Sequence, residues 1–249
     1  MNNKQKFKIL LNISLCGSIM FMVLSFLGMY YYAGGSMLHN HKTSSSFFDY
    51  SYSHTLNFFS DLGLYESWSG DSNIISSMLF SYSLFFVAIG IISFYCALHY
   101  ILKKDRNLVL LSKLGISVAL LSSISFFLVG FTPADLMPAI HMNCVNLAFR
   151  SFLFVMLIYS YLIFRSNYVS NYLSVIYLLL FCLVGYYVYI MIAGPKLPPP
   201  LTDPKFFSPK LGDLWFHVVS QKFVVYGLSF SILWQLLQLR KEKYMEMVD

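Results

Sequence analysis

Six stretches of this chain are each apolar for about 20 residues or more, the length a helix needs to cross a ~30 Å hydrocarbon core. They run roughly over 9–31, 74–102, 107–132, 141–164, 171–194 and 213–239, each bounded by charge, proline or a polar cluster. Lipid offers no hydrogen bonds to backbone, so such stretches must satisfy their own N–H and C=O groups as helices. The expected fold is all-α: one integral membrane six-helix bundle over 1–249, with a long outer loop at 33–73 and no room for a soluble domain. Charged residues make up 11% of the chain, against about 25% in soluble domains. That excludes a soluble enzyme and a disordered tail. It also removes nucleic acid as a partner, because the net charge of +6 has a different use here.

That use is orientation. With the N-terminus inside, Lys4, Lys6, Lys8, Lys103, Lys104, Arg106, Arg165, Arg240, Lys241 and Lys243 lie on the inner side, against Lys42, Lys196, Lys205 and Lys210 outside. The bias follows the positive-inside rule and puts both termini in the cytoplasm of a cell-membrane protein. The basic start resembles a signal peptide, but its apolar run exceeds the 7–15 residues of a signal core. Leu15 is also too large to precede a lipoprotein cysteine, so the first helix is read as retained. Cys16, Cys96, Cys144 and Cys182 lie in apolar stretches without CxxC spacing and read as packing residues. All eight prolines fall in two outer connections, which leaves the predicted helices without proline kinks. Gly115, Ala119 and Ser123 form a small-residue stripe for close helix approach. Tyr30, Tyr31, Tyr32, Tyr186, Tyr187 and Tyr189 read as an aromatic belt.

Polar groups in such a chain mark function. The first outer loop holds His54, Asn57, Ser60 and Asp61; the second holds Asp135, followed by His141; the third ends at Asp213, followed by His217. Each supplies an Asp-Leu pair with a histidine nearby, a weak hint of three related hairpins. Converged, these groups could hold zinc and activate water. No two of the histidines have a metal-binding spacing, so no metal and no cofactor is expected. The blander reading has the aspartates capping helices.

Helical arithmetic gives a sharper pattern. Asn143, Asn146 and Arg150 share one stripe of the fourth helix. Asp213, His217 and Ser220 share a stripe of the sixth with Gln221 beside it, and Lys222, Tyr226 and Ser229 lie adjacent. Arg150 and Lys222 both fall about 13 Å inside the outer helix ends, where a base needs a partner. An outer-loop aspartate folding inward, with Asp61 preferred for Arg150, is one solution. An anionic ligand is the other.

At these residues a resemblance appears. Asn57-Phe58-Phe59-Ser60-Asp61-Leu62-Gly63, with Asn73 before the second helix, resembles the Ser-Asp-Leu-Gly-type motif of a family of six-helix bacterial and archaeal membrane proteins of unknown function. Pro133-Ala134-Asp135 with His141 is similar to that family's second signature, and the likeness extends distantly to the Frag/DRAM-like group. It implies a fold and an association with membrane lipids, and carries over no catalytic residue. Ala33-Gly34-Gly35 and Tyr50-Ser51-Tyr52 have no place in it. The leading functional expectation is an outward-facing polar pocket for a lipid headgroup or other anion, formed by Asn57, Ser60, Asp61, Asp135, His141, Asn143, Asn146, Arg150, Asp213, His217, Gln221 and Lys222. The alternatives are a metal-assisted intramembrane lipid hydrolase and an accessory subunit with a membrane-protein partner. A transporter is disfavoured, because no helix is broken.

Overall fold

A computed structural model describes residues 1–38, 51–197 and 210–248. Six long helices dominate it: α1 Asn3–Tyr30, α2 Ile74–Leu102, α3 Val109–Gly130, α4 Pro138–Arg165, α5 Tyr172–Ala193 and α6 Leu211–Leu239, followed by a short α7, Glu242–Glu246. Each of the six is long and apolar enough to cross a membrane. The protein is therefore a multi-pass, all-helical membrane protein.

Two helix starts differ from the sequence reading by three residues or more, and local chemistry explains both. Helix α1 begins at Asn3 because Asn2 Oδ1 accepts from the Gln5 amide at 2.8 Å while Gln5 Oε1 accepts from the Asn2 N–H at 3.1 Å. This reciprocal cap draws the basic N-terminus into the helix. Helix α4 begins at Pro138, so one proline does lie within a helix. It occupies the first position, where a missing N–H is harmless.

Short connections fold the helices back on one another. Helices α1 to α5 each pack on the next, and α6 touches α5 and also α1, which closes the ring. At the end holding both termini, Asp105 accepts from the Asn167 backbone N–H at 3.2 Å and ties the two short turns together. Helices α1 and α2 approach closely at Gly17, where an added Cβ would lie 2.6 Å from the Phe86 carbonyl oxygen and 2.9 Å from Gly90 Cα. The predicted small-residue stripe is likewise buried. Gly115 meets the Tyr159 ring, and Ala119 and Ser123 are enclosed.

The cysteines pack less than expected, since Cys16 and Cys182 are exposed. Of the six tyrosines assigned to a belt, Tyr32 and Tyr187 are buried, while Tyr30, Tyr31, Tyr186 and Tyr189 face outward. The expected stiffening by the prolines of 198–209 lies outside the described residues.

Candidate functional site

The opposite end of the bundle, here the loop end, is closed by part of the first connection. Residues Phe59–Gly63 form a 3₁₀ turn, the plug, which touches α1, α2, α3 and α6. Two of its backbone carbonyls are satisfied by the start of α2. Ser76 and Ser77 hydroxyls donate to the Leu62 and Gly63 carbonyls at 3.1 and 3.0 Å. Asn73 Nδ2 donates to Leu64 O at 2.8 Å, and its Oδ1 accepts from Ala33 N at 3.1 Å. Asn73 thus fastens plug, α2 and the exit of α1 at one point.

Charge enters this plug at Asp61, which is 5% exposed. Its Oδ2 accepts from the Phe58 N–H at 3.0 Å and from Asn57 Nδ2 at 3.1 Å. Burial pushes the Asp61 carboxyl above the usual carboxylate range; the Asn57 amide and the Lys222 ammonium pull it partly back. Lys222, reaching in from α6, donates to the Asn57 carbonyl at 2.5 Å. Its ammonium also lies 4.9 Å from the Tyr52 ring centroid and 5.0 Å from that of Phe59, within the range at which ring faces stabilise a cation. His54, whose Nδ1 is 3.5 Å from the Tyr226 hydroxyl, is held below its ordinary pKa by partial burial and then by Lys222.

The two motifs without a place in the resemblance belong here. Asn57 Nδ2 also donates to Gly35 O at 2.9 Å. Gly35 has φ +80°, and an added Cβ would lie 2.5 Å from Ser69 N, so both conformation and space demand glycine. Tyr52 donates its hydroxyl to the Asn57 and Phe58 carbonyls at 3.2 and 3.0 Å. Burial, and then the Asp61 charge, push its phenol and that of Tyr32 upward. Sequence reasoning missed Tyr32, Tyr52, Ser76 and Ser77 as members of this cluster. Two serines in the first turn of α2 beside a polar loop were the available signal.

The other expected site residues separate from it. Asp135 Oδ2 accepts from the Tyr65 and Glu66 N–H groups at 2.9 and 3.0 Å and pins the first loop to the α3–α4 turn. His141 Nδ1 meets Thr132 O at 2.6 Å, and His217 Nε2 meets Pro195 O at 2.6 Å, each clamping the loop before its own helix. Asp213 sits in the first turn of α6, where a carboxylate complements the helix dipole. Among the described residues no three His, Cys, Asp or Glu side chains gather as a metal site would require. Asn143 and Arg150 are exposed on the outside of α4. Asn146 donates to the Met142 carbonyl of its own helix at 2.8 Å. The expected Asp61–Arg150 pairing is therefore corrected: α4 turns its apolar face inward, and Lys222 meets the Asp61 cluster instead.

Beneath the plug lies a cavity of about 90 Å³, lined by α1, α2, α3, α4 and α6. On α2 its lining runs from Phe80 to Ile91 and on α6 from Gln221 to Ile232, in each case about 16 Å of helix axis. It is a slot rather than a sphere, and nearly all of it is apolar. Ser18 and Ser229 also line it, but their hydroxyls return to their own helices, at Ser14 O and Val225 O. Gln221 Oε1 accepts from Phe59 N at 2.7 Å. The hydroxyl of Ser60, at the plug end, has no partner among the described residues.

No family model, curated protein or solved structure matches the chain.

Proposed function

We propose that this protein binds a membrane lipid, with an aliphatic chain lying lengthwise in the slot and the polar head at the plug. The observation that carries this reading is the distribution of polarity in the cavity. Its long walls are apolar, and the lining hydroxyl that has no hydrogen-bond partner among the described residues, Ser60, stands at the loop end. An apolar cavity of this kind stays dry and takes an apolar guest. With lining that runs about 16 Å along α2 and α6, it holds a segment of chain and not a whole lipid. The remainder would leave by the seam between α1 and α6, where contact is light.

The headgroup is recognised by polar contacts at Ser60 and the Gln221 amide more than by charge, because Lys222 is already engaged with Asn57, Asp61 and two ring faces. The lipid association implied by the resemblance agrees with this class of ligand. The hydrolase alternative finds no support in the placement of the Asp and His side chains.

The test is photocrosslinking of the full-length protein in phosphatidylcholine vesicles carrying a phospholipid with a diazirine near its chain end. Adducts are expected on Leu84, Val87, Leu228 or Ile232. They should disappear in Val225→Phe, which fills the slot, and persist in Leu157→Phe on the exposed side of α4. Adducts confined to outward residues such as Phe223, Phe230 and Leu237, equal in all three proteins, would overturn the reading.

A further inference from the structure

The outside of α4 poses a separate problem. Its exposed residues Asn143, Leu147, Arg150, Phe154, Leu157 and Tyr161 follow one another at three- and four-residue steps and form a single stripe. That stripe is what lipid-facing helix should look like, except for Arg150 near its middle. Arg150 lies twelve residues from Pro138 and fifteen from Arg165, about 18 and 22 Å along the axis. Helical side chains lean toward the N-terminus of their helix, so this guanidinium inclines toward Asn146 and Asn143 without reaching the loop end. No described residue makes a hydrogen bond or ion pair with it. The other bases in the spanning helices are differently placed. Lys222 is buried against the plug, Lys113 lies one turn from the terminal end of α3, and Lys4, Lys6, Lys8 and Arg165 lie at the terminal ends of α1 and α4.

We infer that the Asn143–Arg150 stripe of α4 is a lateral docking surface for a transmembrane helix of a partner protein that carries a carboxylate near mid-membrane. Guanidinium cannot lose its proton there, and its planar fork matches a carboxylate with two parallel hydrogen bonds. The asparagine amides one and two turns above supply further donors and acceptors to a neighbouring helix, a frequent means of association in lipid. Charge complementarity also decides the occupant. A second copy of this chain fails, because the carboxylate in its described spanning helices is Asp213, two residues from the loop end of α6. A lipid phosphate fails on depth: α4 is about 42 Å long, so a ~30 Å core centred on it begins about 6 Å inside each end and leaves Arg150 about 12 Å below that boundary. This inference does not rest on the lipid slot, which opens on the other side of α4.

The experiment uses full-length protein in phosphatidylcholine vesicles and a synthetic Leu/Ala helix of about 24 residues with a central Glu, or Gln as its match, added in both orientations. Association is read by energy transfer between labels on protein and peptide. The Glu helix should bind about tenfold or more tighter than the Gln helix. That preference should vanish in Arg150→Leu and survive in part in Arg150→Lys. Because the two peptides differ by one group, equal binding to the unmodified protein overturns the inference without any variant. A preference that disappears when phosphatidylglycerol replaces part of the phosphatidylcholine would also overturn it, and would make a lipid phosphate the occupant.

Discussion

The Lys222 ammonium donates to the backbone carbonyl of Asn57, 165 positions earlier in the chain, and the Asn57 side chain donates to Asp61. One asparagine thus stands between a buried base and a buried acid, and the last spanning helix, α6, is held to the first loop through it. The first prediction concerns this arrangement. Removing either side chain leaves buried hydrogen-bonding groups of the Asn57–Asp61–Lys222 cluster unmet, which costs about 1–3 kcal/mol. Asp61→Ala should lower thermal stability in detergent by that order, and Lys222→Met should do the same. The double variant should recover most of the loss. A double-mutant cycle reads the coupling directly; coupling near zero would show that the two charges are held independently.

A pH dependence follows from the same carboxyl. Asp61 titrates above its ordinary value in the folded protein because it is buried, whereas in the unfolded chain it titrates near 3.9. Between those values the folded state binds more protons than the unfolded one, so stability falls as pH rises. The contribution is fully present below about pH 4 and is lost as pH rises through the folded-state value. Melting temperatures across that interval should decline more steeply for the unmodified protein than for Asp61→Asn. Parallel curves would mean that Asp61 is not the group responsible.

Much of this architecture was legible because lipid imposes a severe rule on sequence. A run such as Ile74–Leu102 can be only a spanning helix, and its predicted bounds coincide with the observed ones. Folding of the first loop into the bundle mouth was also readable, from Phe58 and Phe59 flanking a polar motif. Which base meets Asp61 was not. Arg150 and Lys222 lie at similar depth on amphipathic stretches, and helical periodicity alone does not say which side of a helix faces its neighbours. In α4 the inward side is Val145, Ala148, Phe149 and Phe152, which turns Arg150 out; in α6 it includes Gln221 and Lys222. The slot was illegible for a related reason, since it is the space that helices from five parts of the chain leave between them.

Three tyrosines buried in the bundle give a contrast in sign. Among the described residues no group meets the Tyr159 and Tyr177 hydroxyls with good hydrogen-bond geometry, Ser112 and Tyr95 being their polar neighbours, while Tyr52 donates to two carbonyls. An unmet buried polar group costs about 1–3 kcal/mol. Tyr159→Phe and Tyr177→Phe should therefore raise stability, each by about 1 kcal/mol, and Tyr52→Phe should lower it by about as much. Thermal unfolding of the three variants in one detergent checks this. A loss in Tyr159→Phe would show that a water or a ligand group meets that hydroxyl.

The last prediction concerns direction in the membrane. Six crossings leave both termini on one side, and the basic residues gather there: Lys4, Lys6 and Lys8 before α1 enters the apolar region, Lys103, Lys104 and Arg106 between α2 and α3, and Arg240, Lys241 and Lys243 after α6. Insertion retains such clusters in the cytoplasm, and residues close to the helix ends weigh most. Ser72 is exposed at the loop end and Asn107 at the terminal end, so single cysteines there report the two faces. With Cys16, Cys96, Cys144 and Cys182 replaced by alanine, Ser72→Cys should react with a membrane-impermeant maleimide in intact cells. Asn107→Cys should react only after the membrane is opened. The reverse pattern would put the plug and Ser60 on the cytoplasmic face and any lipid head with them. Labelling of both sites in intact cells would mean that the chain inserts in two orientations, which the asymmetry of its lysines and arginines should prevent.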